Sequence, residues 1–309
     1  MEFLRYLYDK YQRESLIHAP GRGSMYEDEY KQTFLPVLHS MRKTQIHDEK
    51  DEGVFYYTLS EENGVRVCDI PAYAYCYSSE RCLVKLFTKL SEKVMAEGDT
   101  LFRVHLYAHD GMAQRVFSMM QFGFMAEKGL REISKLPRCA DNGFDIRTLT
   151  KQEIAMRWNE VRGCTREIVR RLQQAPVFYP GNEFTEEVYR VFYMDEGTAV
   201  HAAFSENNEI IGIIETNEEP CPFLSAAVTS ANVGEIYVTP ERRKTGLSQA
   251  LLSYAARYED LRGKEYLWLE HGTANPAAMG FWNKYFDTYE YEMVREIKAV
   301  RENALPEGT

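Results

Sequence analysis

The apolar positions of the chain keep changing their period, and each change marks an element. Residues 2–17 and 26–43 predict helices; in the second, Tyr30, Phe34, Leu38 and Met41 return every three or four positions on one face. Residues 53–59 and 65–68 then read as strands. Asn63-Gly64 between them is a hairpin signal, because both residues tolerate the positive φ that a tight turn needs. Residues 101–106 predict another strand, and the stretch from Ala113 to Phe117 a helix. Further on, 144–149 is a strand, and Thr150 caps a long helix carrying Ile154, Trp158, Val161, Ile168 and Leu172. Val233, Ile236, Tyr237 and Val238 form a buried strand that Pro240 stops, since proline cannot donate to the ladder. Leu247, Leu251, Tyr254, Ala255, Tyr258 and Leu261 mark a helix, and 266–269 a last strand.

The order of these elements repeats. The hairpin at Ser60 is answered at Ser205, Ala113 by Ala278, and Arg131-Glu132-Ile133 by Arg295-Glu296-Ile297. Three correspondences in one order point to two copies of one domain, the second lengthened by an insertion over 216–232. The polar stretch 136–143 is the natural boundary, which gives domains over 1–140 and 141–309.

Chemistry concentrates in the bend Glu241-Arg242-Arg243-Lys244-Thr245-Gly246. A helix opening on Gly246 and Ser248 points unpaired backbone N–H groups and its positive dipole end into a basic turn, where phosphates bind. The run Arg243-Lys244-Thr245-Gly246-Leu247-Ser248 resembles the pyrophosphate loop of the GNAT acetyltransferase superfamily, Gln/Arg-x-x-Gly-x-Gly/Ala, with the small Ser248 departing at the last place. Asn275-Pro276-Ala277-Ala278-Met279-Gly280-Phe281-Trp282-Asn283-Lys284 resembles the second signature, Asn-x-x-Ala-x-x-Phe-Tyr-x-Lys, in order and in distance; Trp282 replaces its tyrosine.

The resemblance spans about 145–297. It implies an α/β fold of α+β mixed-sheet type: two tandem GNAT-like domains, each a mixed, mostly antiparallel sheet flanked by helices. It also implies acetyl-CoA as the co-substrate. Arg242, Arg243, Lys244, Thr245, Gly246, Leu247 and Ser248 would surround the pyrophosphate; Ile236, Tyr237 and Val238 would run along the thioester; Asn275, Ala278 and Trp282 would lie beside the pantetheine. Between Gly64 and Gly98 the first copy has no glycine, and Glu80 sits where a pyrophosphate would bind, so one coenzyme site per chain is expected.

The family transfers an acetyl group to an amine by direct attack on the thioester. Glu235, at the start of the thioester strand, is the first choice of general base, with Glu270, His271 and His201 in reserve. Tyr285 is offered as the acid, because tryptophan at 282 has no suitable proton. Phe178 and Tyr179, with Glu270, are expected to hold a cationic acceptor, partly by cation–π attraction. The alternative is a catalytically silent acyl-CoA-binding or interaction protein, motivated by Trp282 and by the loopless first copy.

Composition narrows the partners. A formal charge of −10 argues against a nucleic-acid surface and favours a cationic small molecule. No apolar run of ~20 residues marks a membrane span, and the opening MEFLRYLYDKYQRES is too polar for a signal peptide, so the cytoplasm is the expected compartment. Six cysteines without a CxxC pair predict free thiols and no metal site. A monomer or homodimer is expected.

Overall fold

The computed structural model describes residues 3–138, 143–173 and 185–299. Two units account for the packing: Met1–Glu127 with Tyr289–Thr309, and Lys128–Thr288.

In the first unit, helices α1 (Leu4–His18) and α2 (Glu27–Ser40) precede strands β1 (Arg42–His47), β2 (Glu52–Glu62), β3 (Val65–Ile70) and β4 (Tyr75–Tyr77). Helix α3 (Glu80–Met95), strand β5 (Thr100–Tyr107), helix α4 (Gly111–Met119) and strand β6 (Gly123–Glu132) follow, β6 leaving the unit after Glu127. The helix predicted over 26–43 ends three residues early because Thr44 and Ile46 alternate inward, as an edge strand on β2 requires. The hairpin turn is as expected, with Asn63 at φ 50° and Gly64 at φ 77°. Strands β2/β3 are antiparallel and β3/β5 parallel, and Phe87 of α3 and Phe117 of α4 pack with Phe122 against Phe102 of β5 in one core.

The second unit holds β7 (Asp145–Leu149), α5 (Lys151–Met156), α6 (Trp158–Gln173), α7 (Glu186–Met194), β8 (Thr198–Phe204), β9 (Ile210–Asn217), β10 (Ser230–Val238), α8 (Leu247–Leu261), β11 (Tyr266–Gly272) and α9 (Pro276–Trp282). Its strands run in the order β11-β10-β9-β8-β7; only β10/β11 of this series is parallel. Thr150 caps α5 in a reciprocal box with Glu153. The single long helix expected after it is broken at Arg157, whose guanidinium instead reaches Glu160 and the Asn208 carbonyl. Helix α8 packs Leu247, Leu251, Leu252 and Ala255 on one side of the sheet, while Val161, Ile168, Tyr189 and Tyr193 of α6 and α7 form a separate core with Val200, Ala202 and Ile213.

The last strand, β12 (Asp287–Ile297), departs from the division at 140/141 that the sequence predicts. It pairs antiparallel with β5 from Glu290↔Tyr107 to Ile297↔Thr100, so main-chain hydrogen bonding ties the segment from Tyr289 onward to the first unit. The repeat survives in the caps. Asp110 accepts the Ala113 amide at the start of α4, and Asn275 accepts the Ala278 amide at the start of α9. Among the described residues, no helix is long and apolar enough to cross a membrane.

Candidate active site

The site lies within the second unit and begins where two strands part. β10 and β11 pair in parallel only over Ser230↔Tyr266, Ala231↔Leu267 and Asn232↔Trp268. Beyond Asn232, β10 continues on β9 alone and slips register between Val233 and Ile236, so that Gly234 and Glu235 form a bulge. A cavity of about 200 Å³ is lined by Glu235, Ile236, Tyr237 and Val238 of β10, Arg243 and Ser248 at the start of α8, and Asn275, Ala278 and Trp282 of α9. Residues from both sequence signatures and from the predicted base thus share one wall.

The bend behaves as its composition predicts. After one 3-10 turn over Pro240–Arg242, Lys244 takes φ 63° and Gly246 φ 90°, both left-handed. The Thr245 hydroxyl donates to the Arg242 carbonyl at 2.6 Å, and Arg243 Nε donates to the Val238 carbonyl at 3.3 Å, so side chains close the loop from within. Arg242, Arg243 and Lys244 are exposed. Gly246 is the N-cap of α8, and a Cβ there would meet nothing within 4 Å. The first-turn amides of α8 have no helical carbonyl before them, so an anion at the bend meets N–H donors, the dipole and three cations together. Leu247 is buried and anchors the turn to the core. Asn275 Oδ1 accepts the amides of Ala277 and Ala278, so its place at the cavity is set by capping α9. Trp282 is 5% exposed and packs edge-on against Phe281 and Phe286.

Glu235 is partly buried at the cavity wall. Desolvation raises its pKa above the ordinary carboxylate range, and the hydrogen bond donated by Tyr189 Oη to its Oε1 at 3.1 Å opposes that rise. Behind it, Glu215 of β9 is 4% exposed, and its Oε1 accepts the Glu235 amide N–H at 3.1 Å. Neither Tyr189 nor Glu215 was singled out in the sequence. The available signals were a tyrosine pair four residues apart on α7, Tyr189 and Tyr193, and a lone carboxyl inside the apolar run of β9.

The contact between Glu215 and the bulge demands glycine at 234, because a Cβ there would lie 1.7 Å from Glu215 Oε1. That oxygen ends a flexible side chain, but the side chain is enclosed and cannot swing away freely. Gly234→Ala is therefore expected to destabilise the protein by about 1–3 kcal/mol, as overpacking does. A urea unfolding series would show the lowered midpoint, and an unchanged midpoint would mean that Glu215 moves without cost.

The remaining sequence candidates are dispersed. Tyr285 stacks edge-on against Phe281 with ring centroids 5.2 Å apart, and is not among the residues lining the cavity. Glu270 is exposed near Lys128 and also lies off the lining. His271 is held by the Asn283 side chain at 3.1 Å. His201 is wholly buried between Thr148 and Thr216 against the rings of Tyr254 and Tyr258; burial pushes its pKa down to about 3, which keeps it neutral and structural. Phe178 and Tyr179 lie outside the described residues.

Fold and cleft together define a mixed α/β domain that sets a basic bend and the first-turn amides of a helix beside Glu235 and the buried Glu215. Residues 167–287 match the model of the Acetyltransferase (GNAT) family, so this part of the chain is a GNAT acetyltransferase domain, an acyltransferase by class. Among solved structures, a GCN5-related N-acetyltransferase from Sphaerobacter thermophilus is 13% identical, with a TM-score of 0.55 over 96% of this chain and 92% of that one; it shows the same fold across both units. A GCN5-related N-acetyltransferase from Kribbella flavida is 12% identical, TM-score 0.45, over 85% and 93% of the two chains. A tandem GNAT protein from the clavulanic acid biosynthesis pathway is 11% identical, TM-score 0.46, over 97% and 96%. No curated protein matches the chain.

Proposed function

We propose that the protein transfers the acetyl group of acetyl-CoA to the amine of a small molecule by direct attack, using one site per chain in the second unit. The observation that carries this reading is the shared lining of one cavity by Glu235, by Ser248 at the start of α8 and by the Asn275–Trp282 helix. The exposed bend with its Gly246 amides would hold the diphosphate of the coenzyme. The edge of β10 that β11 leaves unpaired, near Tyr237 and Val238, would align the thioester and polarise its carbonyl. Glu235 would take the proton from the amine as the C–N bond forms and the C–S bond breaks. The leaving group is a thiolate, a weaker base than an alkoxide or an amide anion, so its departure needs less help from an acid.

The corresponding helix start in the first unit is closed by its own side chains. Ser79 Oγ accepts the Cys82 amide and donates to Asp51 Oδ1, each at 3.0 Å, and Glu80 pairs with Arg115. These carboxylates occupy the ground that a phosphate would need, which supports a single coenzyme site.

Calorimetric titration with acetyl-CoA is expected to give one site per chain, and release of free CoA thiol is expected on adding members of a cationic amine panel. Tight binding with no thiol release from any amine would replace this reading with that of a silent acyl-CoA-binding protein. No binding would remove both.

A further inference from the structure

Glu215 belongs neither to the bend nor to the cavity lining, yet it is built into the bulge that carries Glu235. Its Oε1 accepts the Glu235 amide at the point where β10 slips against β9, and it fills the space above Gly234. Its Oε2 is enclosed with no hydrogen-bond partner among the described residues. Among the described residues this carboxyl has one amide to satisfy it and no paired cation, conditions that favour the neutral acid. Glu235 differs: it reaches the cavity and receives the Tyr189 hydroxyl.

We propose that Glu215 is a positioning residue for Glu235: it fixes the slipped segment of β10 through the Glu235 amide and, by keeping its own proton, leaves Glu235 as the ionised member of the pair. The proposal rests on the reading of Glu235 as the base. Glu215 feels the Glu235 charge, and carboxyl groups coupled in this way lose their protons in two steps. Burial, with the Glu235 charge adding to it, holds the Glu215 proton up to a pKa of about 8. Among the described residues, the other titratable groups that face the pair are Tyr189 and Tyr193 of α7, and Cys164 of α6 lies behind Tyr193. Burial pushes all three up, so they stay neutral while the carboxyl groups titrate. Above about pH 8 the Glu215 proton leaves, and a second negative charge then opposes the one that develops on the thioester oxygen.

Infrared spectroscopy in heavy water follows the pair without any turnover. The carbonyl stretch of a protonated carboxylic acid is expected in the wild type at neutral pH, lost through about pH 8, and absent from Glu215→Gln, which keeps the Oε1 acceptor. In Glu235→Gln, where the like charge is gone, the same band is expected to titrate at lower pH. No such band in the wild type, or a band indifferent to Glu235→Gln, would overturn the proposal.

Kinetics supply the second readout. The ratio of wild-type to Glu215→Gln kcat, in which ionisation of the amine cancels, is expected to be constant near neutrality and to fall about tenfold or more above the Glu215 transition. A flat ratio beside a coupled infrared band would refute the positioning role while leaving acetyl transfer intact. If the wild type turns over no amine, the reading of Glu235 as base falls and this proposal falls with it, whereas a coupled band would still establish the one-proton pair as a structural feature.

Discussion

Gly246→Val is expected to raise the dissociation constant for acetyl-CoA by about 100-fold in a calorimetric titration. Gly246 stands at φ 90°, and a β-branched residue there costs about 1–2 kcal/mol. A Cβ would meet nothing within 4 Å, so the neighbouring core does not object. The bend relieves itself by rotating out of the left-handed region, and its amides then turn away from the diphosphate. A hydrogen bond to a charged group is worth about 1.5–3 kcal/mol, so losing one such bond corresponds to roughly the stated loss at 1.4 kcal/mol per tenfold. Circular dichroism should show the variant folded. An unchanged affinity in a folded variant would mean that the coenzyme does not use this bend.

Glu235→Gln is expected to lower kcat by about 10²–10⁴, the usual contribution of a general base, while acetyl-CoA affinity changes little. In the wild type, kcat should rise with pH through the Glu235 ionisation, because the base works only when ionised, and should fall again only above the Glu215 transition at about pH 8. Desolvation raises the Glu235 pKa, so the midpoint of that rise lies above the ordinary carboxylate range. Tyr189→Phe removes the hydrogen bond that opposes the shift, and the midpoint should move to still higher pH. In Glu235→Gln the rise should vanish. A variant that keeps the wild-type profile would assign the proton transfer elsewhere.

Legibility in the sequence followed the range of the interactions. The basic bend and the start of α8 are local, each set by a few consecutive residues, and the structure forms them where the sequence predicts; the Asn275 cap is equally local, although the motif implied only a place beside the pantetheine. The duplication was legible through the same local devices, with Ala113 and Ala278 at equivalent capped positions. Long-range pairing was not. β12 joins β5 across most of the chain, Glu290 pairing with Tyr107 and Ile297 with Thr100, and no local period records which sheet a strand will choose. Glu215 and Tyr189 escaped for the same reason. Each reaches Glu235 from a different element, and only the fold brings the three together. The break at Arg157 is a third case, since the apolar stripe from Ile154 to Leu172 runs through it unaltered.

Amide-resolved NMR during titration with coenzyme A reports where the diphosphate sits. The largest shifts are expected at the amides of Lys244, Thr245, Gly246, Leu247 and Ser248, with Ser79, Glu80 and Arg81 unmoved. Shifts centred on Ser79 to Arg81, with the Gly246 bend silent, would contradict it.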